Sequence, residues 1–112
     1  MTRGTRGELR ALKFLLENGY VVLTRNYRYR HYEIDLVASH EGVLVFAEVK
    51  TRGSKNYGYP EEFVDEDKMD FVRLAAENFI EEHNWQGEIR FDIIAILEKG
   101  GSVEITHFVD AF

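Results

Sequence analysis

Cysteine is absent from the 112 residues, so neither a disulfide framework nor a thiolate zinc site can be built. No apolar run approaches the roughly 20 residues of a membrane-spanning helix. The first ten residues, MTRGTRGELR, lack the apolar segment of a secretory signal. A cytoplasmic protein without membrane attachment is the expectation. No repeat, low-complexity tract or linker divides the chain, and its length suits a single domain over 1–112 with a modest core. What is present, 45% hydrophobic and 30% charged residues, reads as a folded globule rather than a disordered chain.

An overall excess of positive charge is missing too. The net charge of −6 argues against a generic nucleic-acid binder, but the average hides an asymmetry. Residues 1–31 hold seven bases against two acids, residues 32–52 two against four, and residues 53–112 five against fourteen. One part of the molecule can face phosphates while another repels them.

Leu9, Leu12, Leu15 and Leu16 recur at helical spacing before Gly19. Thr5 with Glu8 has the form of a capping box, which predicts a first helix over 6–18. Tyr20 to Arg25 reads as a first strand, and Tyr32 to Ser39 and Val43 to Thr51 as two more around a turn at Glu41-Gly42. Residues 52–60 have loop composition. A second helix over 65–83, with Asp65 as its cap, carries an apolar stripe of Met69, Val72, Ala76, Phe79 and Ile80. Phe91 to Leu97 is the nearly continuous apolar run of a strand covered on both faces. Gly100-Gly101 then turns into a last strand over 103–108. The order αβββαββ predicts an α/β fold, a mixed sheet flanked by helices.

Two-residue alternation puts Glu33, Asp35 and Val37 on one face of the second strand, and Phe46, Glu48 and Lys50 on one face of the third. If Glu41-Gly42 is a two-residue loop, His40 pairs with Val43. Counting outward then sets Asp35 opposite Glu48, and Glu33 opposite Lys50. A loop one residue longer sends the two carboxylates to opposite faces. Facing carboxylates repel, the more so in apolar surroundings, and need a cation. Lys50 and a bound Mg²⁺ or Mn²⁺ are the candidates, the latter because such ions take carboxylate, water and phosphate oxygens. The competing reading of Glu-Val-Lys is a solvated salt-bridge face, and spacing alone leaves both open.

Glu8 is equally double-sided, either a cap in the first helical turn or a further metal or water ligand. The tract Arg25-Asn26-Tyr27-Arg28-Tyr29-Arg30-His31 interleaves cations with rings. That suits phosphate contacts and base stacking, with Arg52 and Lys55 extending the basic character. An edge strand guarded by arginines fits as well. His31, His40, His83 and His107 show no metal-ligand spacing and read as surface or turn residues. Asp92, inside an apolar strand, needs a partner, and Arg90 on the same face supplies a structural ion pair. The acids from Glu61 to Asp70 suit the start of a helix.

Taken in order, several segments resemble the YraN family of small bacterial proteins, related in fold to restriction endonucleases and archaeal Holliday-junction resolvases. They are Gly4-Thr5-Arg6-Gly7-Glu8, Asn26-Tyr27-Arg28, Glu33-Ile34-Asp35-Leu36, Phe46-Ala47-Glu48-Val49-Lys50-Thr51-Arg52, the 58–60 loop, Lys68, Arg90-Phe91-Asp92 and the ending from Ile105 to Phe112. The resemblance runs nearly end to end. It implies a restriction-endonuclease-like core with an Asp…Glu-x-Lys site at Asp35, Glu48 and Lys50, joined by Glu8 as a metal ligand. One departure is Tyr32, which stands where the family usually has Gly before Glu-Ile-Asp, and whose ring would either crowd a substrate or stack on it. The function expected is a metal-dependent nuclease on DNA, with branched or flapped structures as the fold-level analogy. A non-catalytic nucleic-acid-binding module and an acidic protein-interaction adaptor are the alternatives. Resolvase-like chemistry needs two active sites and hence a homodimer.

Overall fold

The computed structural model describes residues 2–53 and 66–112. Seven elements follow one another: α1 (Arg3–Glu17), β1 (Val21–Tyr29), β2 (Tyr32–His40), β3 (Val43–Arg52), α2 (Glu66–His83), β4 (Glu88–Lys99) and β5 (Ser102–Phe108). The strands form one sheet in the order β1-β2-β3-β4-β5. Neighbours are antiparallel except β3 and β4, which run parallel. A parallel pair cannot be joined by a tight turn, and α2 lies in the connection between them. This is the mixed α/β sheet that the element order predicts.

Each helix covers one face. Ala11 and Leu15 of α1 pack with Leu36, Val45, Ala47 and Ile94. Met69, Val72, Ala76 and Phe79 of α2 pack with Ile34, Val37, Leu44 and Phe46. Along β4, Ile94 and Ile96 join the α1-side core while Ile93 and Ala95 pack with Phe108 and Ala111. A strand with two covered faces is apolar along its buried middle, as the run from Ile93 to Leu97 indicates.

Three local features place the site. Glu41 and Gly42 both have left-handed backbone, φ 49° and 81°, the pair of values a two-residue type I′ hairpin requires. His40 therefore pairs with Val43, which sets the β2–β3 register. Gly7 of α1 lies so close to β3 that a Cβ there would come within 2.0 Å of Thr51 Oγ1. Only glycine allows that approach, and it brings the start of α1 onto the end of β3.

The third feature corrects an expectation. α1 begins earlier than position 6, and its cap is Thr2, whose side chain accepts the Thr5 N–H at 3.2 Å. No acid stands in the first turn. The Thr5–Glu8 capping box does not form, so Glu8 lies beyond the reach of the cap and needs another account. β1 also continues to Tyr29 and absorbs most of the basic tract into an edge strand. Asp65, Glu61, Glu62, Lys55 and most of the 52–60 loop lie outside the described residues.

Candidate metal centre

The β2–β3 ladder runs from His40–Val43 to Leu36–Ala47, the register counted from the turn. There the paired residues end, one step short of Asp35 and Glu48. Instead, the Asp35 carboxylate accepts the backbone N–H of Val49 at 2.8 Å. Across from Asp35 on β1 stands Asn26, between the Arg25–Leu36 and Tyr27–Ile34 pairs. Its φ is 51°, a left-handed value that asparagine tolerates better than most residues. On β2 itself, Ile34 belongs to the α2-side core and Leu36 to the α1-side core. Two residues apart on a regular strand share a face, so the alternation breaks at Asp35.

That break corrects the grouping of Glu33, Asp35 and Val37. Val37 packs under α2, whereas Glu33 and Asp35 converge with Glu8 of α1. Each of these three carboxylates offers an oxygen within 4.8 Å of the others. The Asn26 amide lies 3.0 Å from Glu33 Oε1 and 3.2 Å from Glu8 Oε1, with its nitrogen turned to donate to both. Burial, then the Asp35 and Glu33 carboxylates, push the Glu8 carboxyl above its ordinary value. The expected Glu33–Lys50 pairing gives way to an ion pair of Glu33 with Arg28 at 3.0 Å.

Phe46, Glu48 and Lys50 keep their alternation. Phe46 lies under α2, and Glu48 Oε2 lies 3.3 Å from Lys68 Nζ on that helix. Glu48 is 1% exposed, yet neither of its carboxylate oxygens receives a well-aligned hydrogen bond among the described residues. Burial, and then Asp35, push its carboxyl up to about 8 against the pull of Lys68 and Lys50. Burial, and then Lys68, push the Lys50 ammonium down to about 8. Glu33, Asp35, Glu48 and Lys68 line one cleft of about 280 Å³ together with Tyr32 and Phe71. Sequence reasoning left Glu33 and Lys68 out of the site. Alternation grouped Glu33 with Asp35, and the family resemblance touched Lys68, but neither signal could join Glu33 to Glu8 or Lys68 to Glu48, since one depends on the break at Asp35 and the other on how α2 docks.

The basic tract is only partly free. Arg25 is exposed and close enough to Glu8 to oppose its upward shift. Arg28 engages Glu33, and Arg30 lies 5.0 Å over the Tyr29 ring. The Tyr27 ring packs edge-on to Phe79, and its hydroxyl bonds Glu82 and Asn78. Through these contacts Tyr27 docks α2 onto the edge strand. Arg52 is exposed at the end of β3, with Nη1 on the Thr51 carbonyl at 3.3 Å.

The Arg90–Asp92 pair forms as expected, with two bonds of 2.9 Å. Asp92 also accepts from the Asp110 backbone N–H at 2.9 Å and contacts His107 Nε2 at 2.6 Å. His107 is thus an interior partner rather than a surface residue. His40, beside the hairpin turn, stacks on Tyr20 at 4.1 Å, and His83, exposed at the end of α2, stacks on Phe79 at 3.9 Å.

A family model for the uncharacterised protein family UPF0102 matches residues 7–96, a span holding every residue of this centre. The chain belongs to that family. It is the YraN family that the motifs resemble. The similarity to relatives runs over most of the chain rather than one motif. A UPF0102 protein of Cytophaga hutchinsonii is 45% identical over 84% of this chain and 83% of its own. One from Sulfurihydrogenibium is 41% identical over 98% and 93%, and one from Christiangramia forsetii 38% identical over 97% and 92%. The match starts at Gly7, so Glu8 and the close approach that positions it both fall inside the family's span.

Proposed function

We propose that the family member described here is a metal-dependent nuclease that hydrolyses phosphodiester bonds in DNA at the Glu8–Asp35–Glu48–Lys50 centre. The observation carrying this reading is the convergence of Glu8, Glu33 and Asp35 beside the buried Glu48 carboxylate. Buried polar atoms without hydrogen bonds are costly and call for an explanation. A divalent cation fits the donor set, since hard oxygen ligands suit Mg²⁺ and Mn²⁺. Glu8, Asp35 and Glu48 would hold it, with Glu33 adjoining. When bound, such an ion supplies Lewis acidity toward a phosphate oxygen and acidifies a coordinated water.

The chain's own groups do the rest. The Val49 N–H holds Asp35 in one orientation, which limits the reorganisation needed at the moment of reaction. Lys50, held near 8, exchanges a proton close to neutral pH and can accept one from an attacking water or offset charge on the phosphate. Lys68 compensates Glu48 across the cleft.

The test is cleavage of labelled DNA, linear and branched, in Mg²⁺ and in Mn²⁺, with matched RNA alongside. Wild type should cut only with metal, and Asp35→Ala should lose activity by more than the roughly 10–100-fold typical of an outer-shell change. Lys50→Ala should keep metal binding by calorimetry while losing cleavage. No Mn²⁺ binding at millimolar ion overturns the reading.

A further inference from the structure

Tyr32 opens β2, and Phe71 lies on the second turn of α2, in sequence positions that share no local relation. Their rings nevertheless stack, centroids 4.6 Å apart and planes within 10°. Phe71 is off the buried stripe of α2 and remains 43% exposed. Core packing therefore does not account for it. Both rings line the cleft that holds Glu33, Asp35, Glu48 and Lys68, and Phe71 also borders a neighbouring hollow with Glu66 and Asp67.

We infer that the Tyr32–Phe71 pair is a stacking platform for an unpaired nucleobase, so that this centre acts on single-stranded or locally opened nucleic acid rather than closed duplex. The inference rests on the nuclease reading above and deepens it. Bases inside a duplex already stack on one another and offer no free face, whereas an unpaired base offers one to any aromatic ring. The charge distribution favours the same contact. Acids crowd this cleft, and the chain from residue 53 onward is strongly acidic. Away from the metal position such a surface gains little from phosphates, but stacking involves the neutral base and survives there. The cleft, about 280 Å³, falls just below the roughly 300–1,000 Å³ of pockets that enclose drug-sized ligands. A single base with its sugar suits that scale better than a paired step.

The experiment uses the full chain and two readouts. The first is cleavage of one labelled strand, alone and annealed to its complement, in Mn²⁺. Phe71→Ala should raise KM for the single strand roughly 5- to 100-fold, the range of one lost base stack, with kcat little changed. Phe71→Trp should restore it and Phe71→Leu should not, which separates stacking from mere apolar bulk. The second readout is free of catalysis. In the Asp35→Ala chain, a strand carrying 2-aminopurine should lose fluorescence on binding, and the Phe71→Ala change should abolish that quenching. If the protein cuts duplex as well as single strand and Phe71→Leu behaves as wild type, the platform is overturned while the nuclease reading stands. If no chain cuts with metal but the quenching occurs and needs Phe71, the nuclease reading falls and the stacking contact is upheld. Neither cleavage nor quenching overturns both.

Discussion

Glu48 and Asp92 are buried carboxylates on adjoining parallel strands, one step apart, since Ala47 pairs with Asp92 and Glu48 with Ile93. Their surroundings are opposite. Asp92 is 0% exposed and fully engaged by Arg90, His107 and the Asp110 N–H. Burial alone would raise its pKa, but the bonds from His107 and Arg90, and then from Asp110, hold it below the ordinary carboxylate value. Glu48 is as deeply buried, but among the described residues its oxygens receive no well-aligned hydrogen bond beyond the Lys68 ion pair, and its carboxyl rises to about 8. A buried acid whose lone pairs are all used holds a structure together. One whose lone pairs are not all met by donors is a candidate ligand position. The Asp92 cluster does the first job, tying the chain end to β4, where the Ala111 N–H also reaches the Phe91 carbonyl at 2.7 Å.

The sharpest way to break this comparison is to remove each acid in turn. Asp92→Ala leaves Arg90 facing an empty site and should cost about 3–5 kcal/mol of stability, the usual penalty for half of a buried ion pair. Equilibrium urea unfolding measures it, and Mn²⁺ affinity should be retained by the molecules that fold. Glu48→Gln should do the reverse, costing less than the roughly 1.5 kcal/mol of a volume-conserving interior swap while abolishing metal binding. Equal losses of stability in the two variants would erase the distinction.

The next effect concerns placement of α1. Gly7→Ala puts a methyl against Thr51 and should destabilise by about 1–3 kcal/mol, as overpacking does. It should also weaken Mn²⁺ binding by displacing Glu8. Gly7→Ala with Thr51→Ala should recover much of both, because the nearest atom, Thr51 Oγ1, is gone. Failure of that rescue would separate the helix position from the metal centre.

The two acids also differ in the sign of their pH response. Asp92 has a depressed folded value, so its contribution is complete above the ordinary 3.8 and is lost as pH falls below it. Asp92→Asn should therefore flatten the acid limb of the stability curve. Glu48 has a raised folded value, so the metal-free protein retains a proton that the unfolded chain releases near 4.5. Its contribution is lost as pH climbs from there through about 8. A metal bound at Glu48 would have to displace that proton. Affinity should rise by up to about tenfold per pH unit and level off above about 8, with proton release visible by calorimetry in buffers of different ionisation enthalpy. The smallest effect sharpens the reading of Glu8. Since Thr2 caps α1, Glu8→Gln should change stability by no more than the roughly 0.5 kcal/mol of an ordinary partly exposed substitution, while reducing metal affinity.

Much of this was legible in the chain. The element order and the hairpin turn follow from short-range chemistry, because Glu41-Gly42 is a sequence that adopts two left-handed residues in succession. That turn sets the pairing register, and the register brings Asp35 and Glu48 toward each other. The Arg90–Asp92 pair was readable for the same reason, both lying on one face of one strand. The capping box failed because Thr2 offered a competing cap one turn earlier.

By itself, then, the sequence determined the element order, where the hairpin turns, and the register that points Asp35 and Glu48 toward each other. Only the tertiary structure decided what joined them. The break in β2 at Asp35 turns Glu33 toward Glu8. The contact of Gly7 with Thr51 delivers Glu8, and the docking of α2 brings Lys68 onto Glu48 and Phe71 onto Tyr32. The physical reason is separation along the chain. Periodicity reports which way a side chain points within its own element, but not which distant side chain it will meet.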